Sequence, residues 1–262
     1  MSEKVRVPAV AGMFYPADPE ELRRMLTGFL DRAAAISLTP PKAIIVPHAG
    51  YIYSGPVAAT AYAQLHPAGI NRVVLIGPSH CVSFPGLAAP EALEWETPLG
   101  EILIDFQALE KVVTLSQVQL SDMAHKAEHS LEVQLPFLQS VLDDFQLVPL
   151  VAGDTTKEEV AEVLDALWGG PETLVVISSD LCHYESYERA SEKDRTTAQA
   201  IVDLDTRGLE FDDACGLLPV KGLVHLAQQK LMRAELLDLR NSGDTAGPRD
   251  AVVGYGAFAF YE

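Results

Sequence analysis

Three apolar runs in this chain break into loops that deliver histidine. Ile44-Ile-Val-Pro-His48-Ala-Gly breaks at Pro47 and presents an imidazole. Val73-Val-Leu-Ile-Gly-Pro-Ser-His80 repeats the design, and Val175-Val-Ile-Ser-Ser-Asp180-Leu-Cys-His183 does so a third time with a carboxylate added. Three of the seven histidines therefore occupy the same kind of position. Imidazole is both a metal ligand and a proton carrier near neutral pH, so a crevice holding several of them implies metal binding, acid–base chemistry or both. One such histidine alone would more simply bond its own loop backbone; three in parallel argue against that. Asp180 is placed to orient an imidazole, as carboxylates behind ligating histidines do. Taken alone it reads equally as an N-cap or turn residue.

The remaining candidates carry different weights. Glu128-His129-Ser130 precedes an amphipathic stretch with Ser130 as a reasonable N-cap. His129 either approaches the pocket or only begins that helix, and Glu128 is a carboxylate neighbour or base. His66 follows a helix, where a cation suits the C-terminal dipole. His225 reads as packed within a periodic helix and His125 as exposed in a polar loop; none of these three is assigned a function. Cys81 and Cys182 each adjoin a pocket histidine, and neighbours in extended chain face opposite ways, so both read as packing residues. Cys215, in Asp213-Ala-Cys-Gly-Leu-Leu-Pro-Val220, lies on a Gly/Pro-punctuated approach to a helix. Such a place can lower a thiol pKa and turn the sulfur to a cavity. Taken alone, Cys215 reads more readily as a small buried apolar residue.

These residues need a scaffold that gathers strand ends. Apolar, β-branched runs predict strands over Ala43–Val46, Arg72–Ile76, Gln146–Val151, Thr173–Ser178 and Tyr255–Tyr261, with Gly100–Ile104 as an additional edge strand. Periodic segments predict helices over Pro19–Ala34, Gly55–Leu65, Ser130–Leu142, Lys157–Trp168, Tyr187–Leu204 and Val220–Ala234. Asp18 before Pro19-Glu20-Glu21, and Thr155-Thr156 before Lys157-Glu158-Glu159, are helix starts with acids in the first turn. Strands without polar alternation are covered on both faces. The expected fold is therefore α/β, a mostly parallel or mixed central sheet covered by helices. In such sheets ligand sites form beyond the carboxyl ends of the strands. Parallel neighbours about 4.8 Å apart would bring the histidine loops to one crevice.

Bulk properties exclude several functions. The 262 residues carry no repeat or long linker and read as one domain over 1–262, and 48% hydrophobic residues are enough for a substantial core. A net charge of −18 with no basic run repels nucleic acid and anionic lipid. The N-terminus has no signal-peptide pattern, and no apolar run approaches the roughly 20 residues of a membrane span. Three widely spaced cysteines suggest no disulfide framework and fit a reduced, cytoplasmic compartment. The expected partner is a small-molecule substrate or a peptide, with neither nucleic acid nor membrane.

Read together, the motifs resemble a known family. Pro47-His-Ala-Gly-Tyr-Ile-Tyr-Ser-Gly55, Gly77-Pro-Ser-His80, Glu128-His-Ser-Leu-Glu132, Ser178-Ser-Asp-Leu-Cys-His183 and Cys215-Gly-Leu-Leu-Pro219 stand in the order found in the Memo family. Ala11-Gly-Met-Phe-Tyr-Pro16 resembles its opening segment and the last strand its close, so the likeness spans essentially the whole chain. Memo proteins resemble in fold the class III extradiol dioxygenases, non-haem iron enzymes that open catechol rings. The resemblance implies metal ligands at His48, His80 and Cys215. It puts Asp180 and His183 in the same pocket, His183 as catalytic acid/base. Bacterial and archaeal members are also called protein B of the AmmeMemoRadiSam system, which implies pathway partners that include a radical enzyme. This chain lacks the cysteine cluster of that chemistry and is not the radical component.

Two departures qualify the likeness. A thiolate in place of the dioxygenases' carboxylate weakens any direct transfer of ring cleavage and widens the metals to iron, copper or zinc. Leu217 and Leu218 stand where some relatives carry polar side chains, which would leave a drier pocket wall or fewer partner contacts. The leading expectation is an iron-dependent oxidoreductase on a small organic substrate, with His183 oriented by Asp180. Tyr53 and Phe14 would shape the mouth and form the substrate-binding set with His129 and Glu128. A non-enzymatic peptide- or metabolite-binding module and a metal-dependent hydrolase are the alternatives.

Overall fold

The computed structural model describes residues 5–33, 39–65, 69–210 and 212–262; His66 lies outside them. In chain order the elements are β1 (Val5–Arg6), α1 (Pro19–Leu30), β2 (Ala43–Val46), α2 (Tyr51–Tyr62), β3 (Arg72–Pro78), β4 (Leu87–Ala89), β5 (Glu94–Thr97), β6 (Gly100–Leu103), α3 (Phe106–Val112), β7 (Val118–Leu120) and α4 (Asp122–Lys126). Then come α5 (Leu135–Val141), β8 (Gln146–Ala152), α6 (Lys157–Leu167), β9 (Thr173–Ser178), β10 (His183–Glu185), α7 (Tyr187–Val202), α8 (Leu217–Gln229), β11 (Arg233–Asn241) and β12 (Val252–Tyr261).

The apolar runs lie side by side as expected. The main sheet runs β10-β12-β2-β9-β3-β8-β4-β7, with β11 on β12. Its centre, β2-β9-β3-β8, is parallel, while β12 and the β4–β8 pair are antiparallel. Every residue of β2 and β9 is buried. Helices cover the sheet, and one hydrophobic cluster reaches from Val10 to Phe260. The fold is thus mixed α/β with a mostly parallel middle. Val46 pairs with Ser178 and Ile76 with Ile177, so β2, β9 and β3 end at nearly one level.

Local signals placed several boundaries well. Asp18 caps α1 by accepting from the Glu20 and Glu21 N–H groups, and Thr156 closes a reciprocal capping box with Glu159 on α6. Elsewhere tertiary structure prevailed. Gly55-Pro56 suggested a helix start, yet α2 begins at Tyr51 and carries Pro56 inside it. The carbonyl that Pro56 leaves without a helical donor belongs to Ile52, itself 57% exposed, so water reaches that turn. The helix predicted from Ser130 is a 3₁₀ turn, Glu132–Gln134, followed by α5 with Pro136 in its first turn. Ser130 is no cap there: its hydroxyl donates to the Pro78 carbonyl.

The helix predicted to Ala234 ends at Gln229, and residues 233–241 form β11 instead. Arg-Ala-Glu-Leu-Leu-Asp-Leu suits a helix by propensity, but eight paired positions with β12 outweigh it. Gly100–Leu103 is a strand at the edge of a separate three-stranded sheet, β1-β5-β6, whose other members went unpredicted.

Candidate metal centre

The three level strand ends each carry a functional residue two positions on: His48 after Val46, Asp180 after Ser178 and His80 after Pro78. Strand β9 lies between β2 and β3, so Asp180 starts between the two histidines. Its Oδ1 accepts the main-chain N–H groups of His48 at 2.7 Å and Ala49 at 3.3 Å. Asp180 therefore shapes the His48 loop and orients no ring. Its burial raises the carboxyl to about 7 against those hydrogen bonds.

The rings are held by other groups. His48 Nδ1 lies 2.9 Å from Ser178 Oγ. That hydroxyl spends its only proton on the Ser130 carbonyl and also accepts from Gln134 Nε2. Nδ1 of His48 must then be the protonated nitrogen, which leaves a lone pair on Nε2. His80 Nδ1 lies 2.9 Å from Glu128 Oε1, and Glu128 also accepts the main-chain N–H groups of His80, His129 and Ser130. Burial alone would raise this carboxyl. The hydrogen bonds from the His80 side chain and backbone and from Ser130 outweigh it and hold the group at about 2. An ionised Glu128 makes His80 Nδ1 a donor, again freeing Nε2. His183 Nδ1 donates to the Leu181 carbonyl at 2.9 Å, with the same result.

His48, His80 and His129 each offer one nitrogen, all within 4.8 Å of one another. The His80 and His129 rings stack at 4.6 Å between centroids, and His48 meets them edge-on at 5.2 and 5.5 Å. Burial and the neighbouring imidazoles hold His48 and His129 below the usual histidine range, so both are neutral at pH 7. His129, left open between pocket and helix start, thus stands in the pocket.

Cys215 approaches His48 from far along the chain, with Sγ 3.2 Å from His48 Nε2, but stands outside the three-imidazole cluster. Burial, then the charge of Asp180, pushes its thiol up to about 12. Without a metal the S–H donates to the His48 lone pair. Gly216 permits this approach: a Cβ there would stand 2.7 Å from Ser179 Cβ and 2.8 Å from the Ser178 carbonyl oxygen. The donor set fits a transition metal, since neutral imidazoles and one sulfur suit iron, copper or zinc and not magnesium or calcium.

One cavity of about 660 Å³ is lined by Phe14, His48, Tyr53, His80, His129, Asp180, His183 and Cys215. Every expected site residue except Glu128 therefore opens into it, and Glu128 sits behind His80. Tyr184, Tyr255 and Val253 complete much of the apolar lining. His183 occupies β10, outside the three-imidazole cluster, and burial lowers its pKa.

Other expectations moved. His125, read as exposed, is buried, and burial with Arg6 nearby pushes it down to about 3. Cys81, read as packed, is exposed, whereas Cys182 is buried as expected. His225 is only partly buried and pairs with Gln229. Leu217 packs into the core and is no cavity wall.

Sequence reading missed Ser178, Gln134 and Glu132. Glu132 is fully buried and accepts from Arg6, the Ala9 and Val10 N–H groups and the Tyr15 hydroxyl. It thereby ties down the segment that sets Phe14 against His129, 4.7 Å between ring centroids. The spacing Glu128-x-x-x-Glu132 was the available signal.

Comparison with known proteins bears on this geometry. A family model described as Memo-like protein matches residues 6–259. A MEMO1 family protein of Ignicoccus hospitalis is 40% identical over 98% of each chain, and one of Saccharolobus solfataricus is 39% identical over 97% of this chain and 99% of its own. Among solved structures, the uncharacterized protein JW3007 of Escherichia coli K12 has a TM-score of 0.51 at 12% identity, covering 86% of this chain and all of that one. That last likeness is one of fold.

Proposed function

The chain belongs to the Memo family, and from that footing we propose that it is a metal-dependent oxidoreductase, with iron as its metal, acting on a small organic substrate. The observation that carries this reading is three imidazole nitrogens within 4.8 Å, two of them on rings whose other nitrogen is already engaged. Such preset rings make ligands. A metal held there supplies Lewis-acid polarisation of a substrate oxygen and, as iron or copper, electron transfer.

His48 and His80 hold the metal in this reading. Cys215 is the third donor, and His129 either competes for that position or contacts substrate. Phe14 and Tyr53 exclude water at the mouth. His183 Nε2, unprotonated because Nδ1–H donates to Leu181, takes a proton from substrate. A base so placed contributes roughly 10²–10⁴ in rate. Free thiols suit a reducing compartment such as the cytoplasm, and no helix among the described residues is long and apolar enough to cross a membrane.

Metal analysis of anaerobically purified protein tests the proposal. Near-stoichiometric iron or copper is expected, with loss of more than nine-tenths of it in His48→Ala and Cys215→Ser. Oxygen consumption should then depend on His183. Protein that takes up no metal on reconstitution overturns the reading. Turnover with zinc and without oxygen would replace it by hydrolysis. The aromatic lining favours one second reading, a module that binds a metabolite or peptide unchanged; recovery of intact ligand from a stable complex would establish it.

A further inference from the structure

Tyr184 is the residue in this pocket whose position local folding does not explain. It stands between His183 and Glu185, where the pairing of β10 with β12 shifts register. Its backbone lies at φ 61°, a region that glycine and asparagine enter more readily than tyrosine. The residue is 79% exposed. A strained backbone carrying a large exposed ring contributes little to stability. Irregular strand pairings of this kind occur beside functional sites, where they re-aim a side chain. Here the re-aimed ring lines the imidazole cavity and meets His183 edge-on, 5.7 Å between centroids.

We propose that Tyr184 is a substrate-contact residue that selects ligands carrying a flat unsaturated ring, a role that rests on the metal-centre reading above. The ring of Tyr184 would lie against such a ligand while the ligand's polar or anionic group is directed to the His48–His80 centre. His183, next in the chain, then stands beside the bound ring. Phe14 adds a further aromatic surface to the same cavity. Selection of this kind needs the tyrosine ring and not its hydroxyl, so phenylalanine should substitute and alanine should not.

Full-length protein loaded with cobalt(II) provides the test, because the metal's visible spectrum reports occupation of its open positions. Two probes are titrated: azide, which has no ring, and pyridine-2-carboxylate, a flat ring with an anionic group. Tyr184→Gly accepts this φ without strain and keeps the fold intact. Affinity for pyridine-2-carboxylate should fall roughly three- to tenfold in Tyr184→Gly and Tyr184→Ala, as loss of an aromatic contact implies. It should persist in Tyr184→Phe, and azide should bind all four proteins alike. Unchanged pyridine-2-carboxylate affinity in the glycine variant, with azide binding normally, overturns the role of Tyr184 alone. A wild-type protein whose cobalt spectrum responds to neither probe overturns the metal reading and this proposal with it.

Discussion

Glu128 and Glu132 stand four residues apart in one short motif, both buried, both accepting four hydrogen bonds. What they hold differs. Glu132 gathers the Arg6 guanidinium, two main-chain N–H groups and the Tyr15 hydroxyl, and the other Arg6 nitrogens end on the His125 and Glu128 carbonyls. None of that set lines the imidazole cavity. Glu128 gathers His80, whose second ring nitrogen remains free beside a cavity. A saturated buried carboxylate therefore marks structure or function according to whether the donors it holds open into the imidazole cavity.

The largest effect expected from this contrast is on stability. Glu132→Ala strands the buried Arg6 charge and should cost about 3–5 kcal/mol in urea unfolding. Metal affinity should change little in the fraction that stays folded. Glu128→Gln should do the reverse: a 10–100-fold loss of metal affinity by competitive chelation, through a loosened His80 ring, with the smaller stability change of the two. Equal stability losses with unchanged affinity would erase the distinction between the two carboxylates.

A smaller effect lies in acid. His125 sits beside the Arg6 network with Nε2 bonded to the Ala88 carbonyl and Nδ1 unpartnered. Its folded pKa of about 3 lies below the ordinary 6.5, so the unfolded chain binds the extra proton between those values. Stability from this group is complete above 6.5 and falls with decreasing pH by ~1.4 kcal/mol per unit until about 3. In unfolding measured from pH 7 down to 5, His125→Gln should flatten that slope. An unaltered slope would show that His125 is not a neutral member of the structural network.

Much was legible in the residues themselves. Strands β2 and β9 fall on their predicted limits, and the caps of α1 and α6 lie where Asp18 and Thr156 put them. Pro47 after β2 and Gly77-Pro78 at the end of β3 pointed to His48 and His80 because proline and glycine end strands through local backbone sterics, while the run after β9 pointed to Asp180 and His183 without such a breaker. The fates of His125 and Cys81 were misread, since burial of a loop residue depends on what folds over it. For the same reason the last helix was carried to Ala234, over the first two residues of β11, and the rest of that strand went unpredicted: its partner strand lies beyond the reach of any local pattern.

The sequence by itself determined an α/β chain with histidines at strand ends, and its ordered motifs pointed to the family. Only the tertiary structure decided which groups meet. Cys215 and His48 are 167 residues apart, Glu132 and Arg6 126. Propensity, periodicity and capping act within a few turns, whereas a ring's tautomer and a carboxylate's charge depend on donors and acceptors brought from distant strands. Chemistry of that kind exists once the chain has closed upon itself.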